Sequence, residues 1–99
     1  MKIYTIPLQD TPSQKLAVTL GDQNVDLVLT MRLGRLFADV KADGVPVVAG
    51  RVCLNLEPII NEKFRPFVGE LFFVDLQGSD NPIYGGLGRR FVLRWATNE

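Results

Sequence analysis

The stretch NVDLVLTMRL, Asn24 to Leu33, decides the fold, because its side chains alternate between apolar and polar along the chain. The apolar side chains on one face are Val25, Leu27, Leu29 and Met31. Polar side chains occupy most of the other face, with Val28 as the exception. A period of two is typical of a β-strand with one buried face. The stretch therefore predicts a strand that borders a hydrophobic core.

The same alternation recurs in KLAVTL, residues 15–20, and in RFVLRW, residues 90–95. Between such runs stand short turn signals rich in Gly, Asp and Asn: GDQN at 21–24, LGR around Gly34, ADG at 42–44 and AG at 49–50. Gly and Asn tolerate the positive φ angles of tight hairpins, so successive strands are predicted to pair as neighbours. LEPIINEKF, residues 56–64, is the best candidate for helix, but Pro58 and Pro66 limit it to an extended crossing or one helical turn.

These patterns predict an all-β fold, a small antiparallel β-barrel or sandwich of about six to eight short strands. The 99 residues are enough for one domain, 1–99, and a hydrophobic content of 46% is enough to build its core. No segment has the ~20 consecutive apolar residues of a membrane span, and the N-terminus lacks the apolar stretch of a signal peptide. We therefore expect a protein made in the cytoplasm.

Charge argues against nucleic acid or an anionic membrane as a partner. The 11 basic residues balance the 11 acidic ones, whereas both of those partners require an excess of Lys and Arg. A net charge of zero also permits self-association. Nucleic-acid binding is therefore not expected, and self-association remains open.

The residue types also limit catalysis. The chain has no His and one Cys, which excludes Ser-His-Asp and Cys-His devices and the usual zinc sites. The glycines of DLQGSD, from Asp75, and of GGLGRR, from Gly85, do not match a calcium loop or a phosphate loop. We predict no enzyme activity, no catalytic residue, no metal and no cofactor. Cys53, between Val52 and Leu54, is interpreted as a buried hydrophobe in preference to a reactive thiol.

In the connection from Asp75 to Gly88, Pro82 stiffens the chain, while Gly85, Gly86 and Gly88 permit a tight reversal or a bulge. Long loops in compact domains are often functional, so this one is interpreted either as a binding surface or as a plain long hairpin. Phe72 and Phe73 are predicted to lie on opposite faces of one strand, and Phe37 on a polar face. One sheet face would then bury the core, while the other packs on another chain or is covered by residues 56–64 of a closed barrel.

The sequence resembles the small baseplate plug proteins of contractile-tailed phages. The resemblance rests on IYTIPLQDTPSQKLAVTLGDQNVDLVL (3–29), RLFADVKADGVPVVAGRVCLN (35–55), FVGELFFVDLQGSDNPIYGGLGRRF (67–91) and VLRW (92–95), which together cover nearly the whole chain. Its most specific parts are FVGEL at 67–71, VDLQG at 74–78, and Tyr84 with GLG at 86–88.

The resemblance implies a structural protein of the tail baseplate in the virion, assembled in the host cytoplasm. It would dock to hub, tail-tube or other baseplate proteins without catalysis. The candidate partner contacts, by our inference, are Phe37, Gln77, Ser79, Asp80, Asn81, Tyr84, Gly86 and Gly88. The alternative is a carbohydrate- or peptide-binding module that stacks ligands on exposed rings at Phe37, Tyr84 or Trp95. Trp95 continues the apolar face of Phe91 and Leu93 and is predicted to belong to the core.

Overall fold

Alternating side chains form seven β-strands in the part of the chain that the computed structural model describes, residues 2–61 and 67–97. They are β1 (Lys2–Ile6), β2 (Ser13–Leu20), β3 (Gln23–Arg32), β4 (Arg35–Ala42), β5 (Val45–Val52), β6 (Glu70–Asp75) and β7 (Phe91–Thr97). One short 3-10 turn, Tyr84–Gly86, precedes β7. The prediction of an all-β chain with about six to eight short strands is confirmed.

The strand that decided the sequence argument is β3, the second strand of the larger sheet. Val25, Leu27 and Leu29 are each 1% exposed, while Met31 is half-buried at the end of the strand. Val28, the exception to the alternation, is half-buried on the outer face. KLAVTL lies within β2, and RFVLRW lies in β7 except for Arg90, which directly precedes that strand.

The strands form two antiparallel sheets, one ordered β2-β3-β4-β5 and the other β1-β7-β6. Buried side chains from both sheets form one hydrophobic cluster. Because no ladder joins the two sheets in the described residues, they make a sandwich; the alternative of a closed β-barrel is wrong. Within 2–61 and 67–97, no helix has the length and apolar character needed to cross a bilayer.

Three of the predicted turns join neighbouring strands: Gly21–Asp22, Leu33–Gly34 and Asp43–Gly44. The fourth prediction, a turn at Ala49–Gly50, is wrong because both residues lie within β5. There the pairing with β4 shifts register, and Gly50 has a φ of 61°. A positive φ at Gly serves a β-bulge as well as a turn, so the dipeptide alone does not distinguish them.

The connection after β5 forms neither a helix nor a β-strand in its described part, residues 53–61: it turns at Leu56, with a φ of 61°, and bends at Ile59 and Ile60. Main-chain bonds hold it to β6: Leu56 N donates to Phe73 O and Ile59 N to Leu71 O, both at 2.8 Å. It therefore follows the edge of β6 instead of covering a sheet face, and Ile60 enters the core. Of the two predicted alternatives, one helical turn is absent from residues 56–61, and the positive φ angles of Leu56 and Asn61, 61° and 46°, interrupt an extended crossing. Residues 62–64 of the predicted segment, and Pro66, lie outside the described residues.

Three connections lie at the same end of the sandwich, which we call the loop end: residues 7–12, the turn Leu33–Gly34, and residues 76–90 between β6 and β7. Met31 N donates to Pro12 O at 2.8 Å, which joins the first two connections. Arg89 forms a 3.0 Å ion pair with Asp10, which joins the first and third. The turn Asp43–Gly44 lies at the opposite end, beside Asn24.

Candidate functional site

The connection from Leu76 to Arg90, called here the 76–90 loop, is held by a carboxylate that belongs to the strand before it. Asp75 occupies an inward position of β6 after Leu71 and Phe73, and its side chain is 0% exposed. A carboxylate in such a place requires a cation and hydrogen-bond donors. The loop supplies both, because it ends at Arg90.

Arg90 binds Asp75 through two parallel hydrogen bonds. Nε donates to Oδ1 and Nη2 donates to Oδ2, each at 2.8 Å, which is the bidentate geometry that favours Arg over Lys. The same Nη2 also donates to Oδ2 of Asp80 at 2.8 Å. One guanidinium thus joins the last residue of β6, the middle of the loop and the position before β7.

The backbone of the loop adds two more donors to the same carboxylate. Gln77 N donates to Asp75 Oδ1 and Asp80 N donates to Oδ2, each at 2.9 Å. The hydrogen bonds from Arg90, followed by those from the two backbone N–H groups, hold the pKa of Asp75 well below its usual range. The pairing with Asp75 raises the pKa of Arg90 above its ordinary value. Both groups therefore stay charged, and the first half of the loop is fixed.

A pair of asparagines ties the middle of the loop to the connection after β5. Asn55 Oδ1 accepts from Asp75 N at 2.9 Å, while Asn55 N donates to Asn81 Oδ1 at 3.0 Å. Pro82, the next residue, is among the fully buried side chains. The centre of the loop is thus anchored in the fold.

Two glycines allow the last part of the loop to pack closely. A Cβ on Gly86 would lie 2.8 Å from Cδ2 of Phe91, and one on Gly88 would overlap the carbonyl oxygen of Leu8. Gly88 also has a φ of 83°, in the left-handed region that side chains rarely adopt, and its N–H donates to Phe91 O at 2.9 Å. The loop therefore packs so closely on the 7–12 connection at Gly88 that a side chain there would not fit.

Held in this way, the loop presents apolar side chains to solvent. Leu76 is 53% exposed, Ile83 48% and Tyr84 44%. Leu33, in the turn at the same end of the sandwich, is fully exposed. A rigid loop with exposed apolar side chains is suited to protein contacts, because little conformational entropy is lost on binding.

The structure places seven of the eight predicted contact residues in this loop, and their environments differ. Asp80, Asn81, Gly86 and Gly88 hold the loop itself. All seven are exposed except Gly86, which is half-buried.

Phe37, the eighth candidate, is not part of the loop. It lies half-buried on the outer face of β4, with the guanidinium of Arg32 4.7 Å from the centre of its ring. Thr30, Asp39 and Gly50 complete a shallow recess around it. Phe37 and Tyr84 thus belong to different surfaces, a sheet face and a loop.

Trp95 is 2% exposed, which confirms its prediction as a core residue. Its Nε1 donates to Val68 O at 2.9 Å, and its ring stacks on Tyr4 with centroids 5.6 Å apart. A ligand that stacks on a ring therefore has no access to the face of Trp95. Cys53, 1% exposed, is likewise buried as predicted, and burial raises the pKa of its thiol to about 12.

Sequence reasoning missed the pairing of Asp75 with Arg90. A signal existed, because Asp75 continues the inward positions of Leu71 and Phe73, where an unpaired carboxylate is costly. Arg90, directly before the apolar alternation of β7, was the cation at the other end of the loop. The missing step was to ask which charge neutralises an acid on an apolar face.

Fold and site together define a class of protein: a small β-sandwich with a rigid, partly apolar loop at one end. Within residues 2–61 and 67–97, no group of three or more Cys, Asp or Glu side chains is arranged to hold a metal ion. The exposed apolar side chains of the loop point to contact between proteins.

Residues 3–98 match the family described as "Cyanophage baseplate Pam3 plug gp18", and the chain belongs to this family. None of the curated proteins compared with the chain matches it. The family confirms the resemblance to baseplate plug proteins and identifies the chain as a structural component of a phage tail baseplate.

Proposed function

We propose that this protein is a non-catalytic plug that docks to hub or tail-tube proteins of the baseplate through its loop end. One observation carries the proposal: the 76–90 loop is fixed internally by the Asp75 and Arg90 pair, yet it exposes Leu76, Ile83 and Tyr84. Apolar side chains held rigidly in water are expensive for an isolated domain and favourable at an interface. The family supplies the setting, a phage baseplate.

The residue types support a role without catalysis. The chain has no His, and its single Cys is buried with a raised pKa. The most strongly perturbed carboxylate, Asp75, is fully engaged by Arg90 and backbone donors, so it has no free lone pair facing solvent. The perturbed groups of this chain are thus used to hold the loop.

The test replaces exposed side chains and spares those that hold the loop. Leu76→Ser, Ile83→Ser and Tyr84→Ser, combined in one variant, should leave the fold intact and reduce incorporation into phage particles at least about tenfold. The matched control is Val45→Ser, because Val45 is 50% exposed at the opposite end of the sandwich. Incorporation is measured by quantitative mass spectrometry of purified particles from a phage whose own copy is deleted.

A photo-crosslinking amino acid at position 84 identifies the neighbour. We expect adducts with hub or tail-tube proteins in intact particles. Normal incorporation of the triple variant would contradict the role of the loop, and crosslinks confined to proteins outside the baseplate would contradict the proposed location. Phe37 remains a candidate contact on the outer sheet face, and Phe37→Ser tests it in the same assay.

A further inference from the structure

Two hairpin turns in the larger sheet share a backbone conformation but differ in sequence. Leu33 and Gly34 have φ angles of 51° and 77°, and Asp43 and Gly44 have 52° and 80°. Each turn has two residues between paired strand ends, with φ positive at both, as in a type I′ turn. This turn favours Asn or Asp followed by Gly, so Asp43 is the expected residue and Leu33 is not.

Packing of the Leu33 side chain does not offset the cost of this unfavourable backbone conformation. A left-handed φ is costly for a residue with a Cβ, and Asp or Asn offsets part of that cost with local hydrogen bonds. Asp43 gains a bond to the neighbouring strand instead, since its Oδ1 accepts from Asn24 N of β3 at 2.9 Å. Leu33 has a relative exposure of 102%, so it buries no apolar surface at all. A strained and exposed leucine points to a use outside the folded chain.

Two arginines flank this leucine. Arg32 and Arg35 face each other across the β3–β4 ladder, and both are exposed. Neither forms an ion pair with any residue in 2–61 or 67–97; the guanidinium of Arg32 lies over Phe37 instead. Residues 32–35, called here the 32–35 tip, thus combine an exposed apolar side chain with two positive charges that no described residue neutralises.

We propose that the 32–35 tip inserts Leu33 into an apolar pocket with an acidic rim on a neighbouring baseplate protein. The inference rests on the proposed function, since it requires a partner at the loop end. The charges on the tip select the partner: carboxylates beside the pocket would pair with Arg32 and Arg35, and a basic or purely apolar surface would not. The tip lies at the same end as the 76–90 loop, so both are available to one partner.

Leu33→Asn separates docking from folding, because the two effects have opposite signs. Asn tolerates a left-handed φ and suits the first position of this turn, so the melting temperature should rise by about 2 to 8 °C. Binding should fall at least about tenfold, because the anchor is lost. A merely structural role for Leu33 would not produce a more stable protein that binds less well.

The probe is the baseplate purified from a phage whose own copy of this gene is deleted, to which the full chain is added back. Arg32→Glu with Arg35→Glu should also weaken binding at least about tenfold. Raising the salt concentration from about 0.05 to about 0.5 M shortens the Debye length about threefold, to roughly 4 Å, and should weaken binding of the wild type more than binding of this variant. Val45→Asn, next to the other turn, is the matched control and should bind like the wild type.

The outcomes distinguish the two proposals. If Leu33→Asn binds as tightly as the wild type, the tip proposal is wrong, while the proposed function stands. If the wild type does not bind the depleted baseplate, both fail. If ultracentrifugation shows a wild-type dimer that Leu33→Asn converts to monomer, the tip packs on a second copy of the chain and the acidic pocket is refuted.

Discussion

Gly88→Ala tests whether the 76–90 loop is held against the 7–12 connection. Gly88 has a φ of 83°, and an added Cβ would overlap the carbonyl oxygen of Leu8. Gly44→Ala is the matched control, because Gly44 has a φ of 80° with no atom within 4 Å of the added Cβ. Both substitutions place an alanine at a left-handed φ, but only Gly88→Ala also brings a Cβ against the carbonyl oxygen of Leu8.

The shared cost of a left-handed φ for Ala is about 1–2 kcal/mol. Gly88→Ala adds the displacement of Leu8, whose carbonyl must recede by roughly 1 Å to reach ordinary contact, and overpacking of this kind costs about 1–3 kcal/mol. We therefore expect a loss of about 2–5 kcal/mol for Gly88→Ala against about 1–2 kcal/mol for Gly44→Ala. At about 4–8 °C for each kcal/mol, the melting temperatures of the two variants should be clearly separated.

Urea unfolding at pH 7 measures both losses, with fluorescence of the buried Trp95 as the signal. Incorporation into phage particles should fall for Gly88→Ala and stay normal for Gly44→Ala, because only the first moves the loop. Equal losses of unfolding free energy in the two variants would refute the reasoning, since the contact between Gly88 and Leu8 would then constrain nothing.

Three further predictions follow from the described contacts. The pKa of Asp75 is lowered by Arg90, so the contribution of this pair to stability is complete above the unfolded pKa of about 4 and is lost as pH falls below it. Asp75→Asn should therefore flatten the decline in unfolding free energy between pH 7 and pH 3. Parallel plots of unfolding free energy against pH for wild type and variant would contradict the pairing. Cys53 should react with a thiol reagent at pH 8 only after urea unfolding, and fast labelling of the native protein would show an accessible thiolate. Leu93→Ala, at 0% exposure, should cost about 2–5 kcal/mol in urea unfolding, whereas Leu33→Ala should change stability by less than about 0.5 kcal/mol; equal costs would contradict the burial assigned to either residue.

The sequence was most informative about features that a local pattern determines, such as strand positions and the burial of single residues. Alternation in residues 24–33 identified β3 and its buried face, because burial of one sheet face imposes a period of two. Trp95 was assigned correctly to the core by the same reasoning, and Cys53 from its apolar neighbours Val52 and Leu54. The dipeptide Ala49–Gly50 misled, because a glycine with positive φ serves both a turn and a bulge.

Features that depend on contacts between residues far apart in the sequence could not be predicted from local sequence patterns. Whether seven strands close into a barrel or form a sandwich is decided at the sheet edges. There, residues 53–61 bond first to Leu36 of β4 and then to β6, but they form no strand ladder between the two sheets. Alternation states which face a residue occupies, but it does not name the neighbouring strand. The site has the same limit: the loop and its glycines were found, but the contact between Arg90 and Asp75, fifteen residues apart, was not.

The two ends of the sandwich follow local rules to different degrees. At one end, the turn Asp43–Gly44 has the residues that its conformation favours. At the loop end, Leu33 has a positive φ and full exposure, and Asp75 places a charge among core residues to fix the loop. Such departures persist when something outside the folded chain compensates for them, and functional sites are where they concentrate. Because both occur at one end, we look for the partner there in preference to the sheet faces.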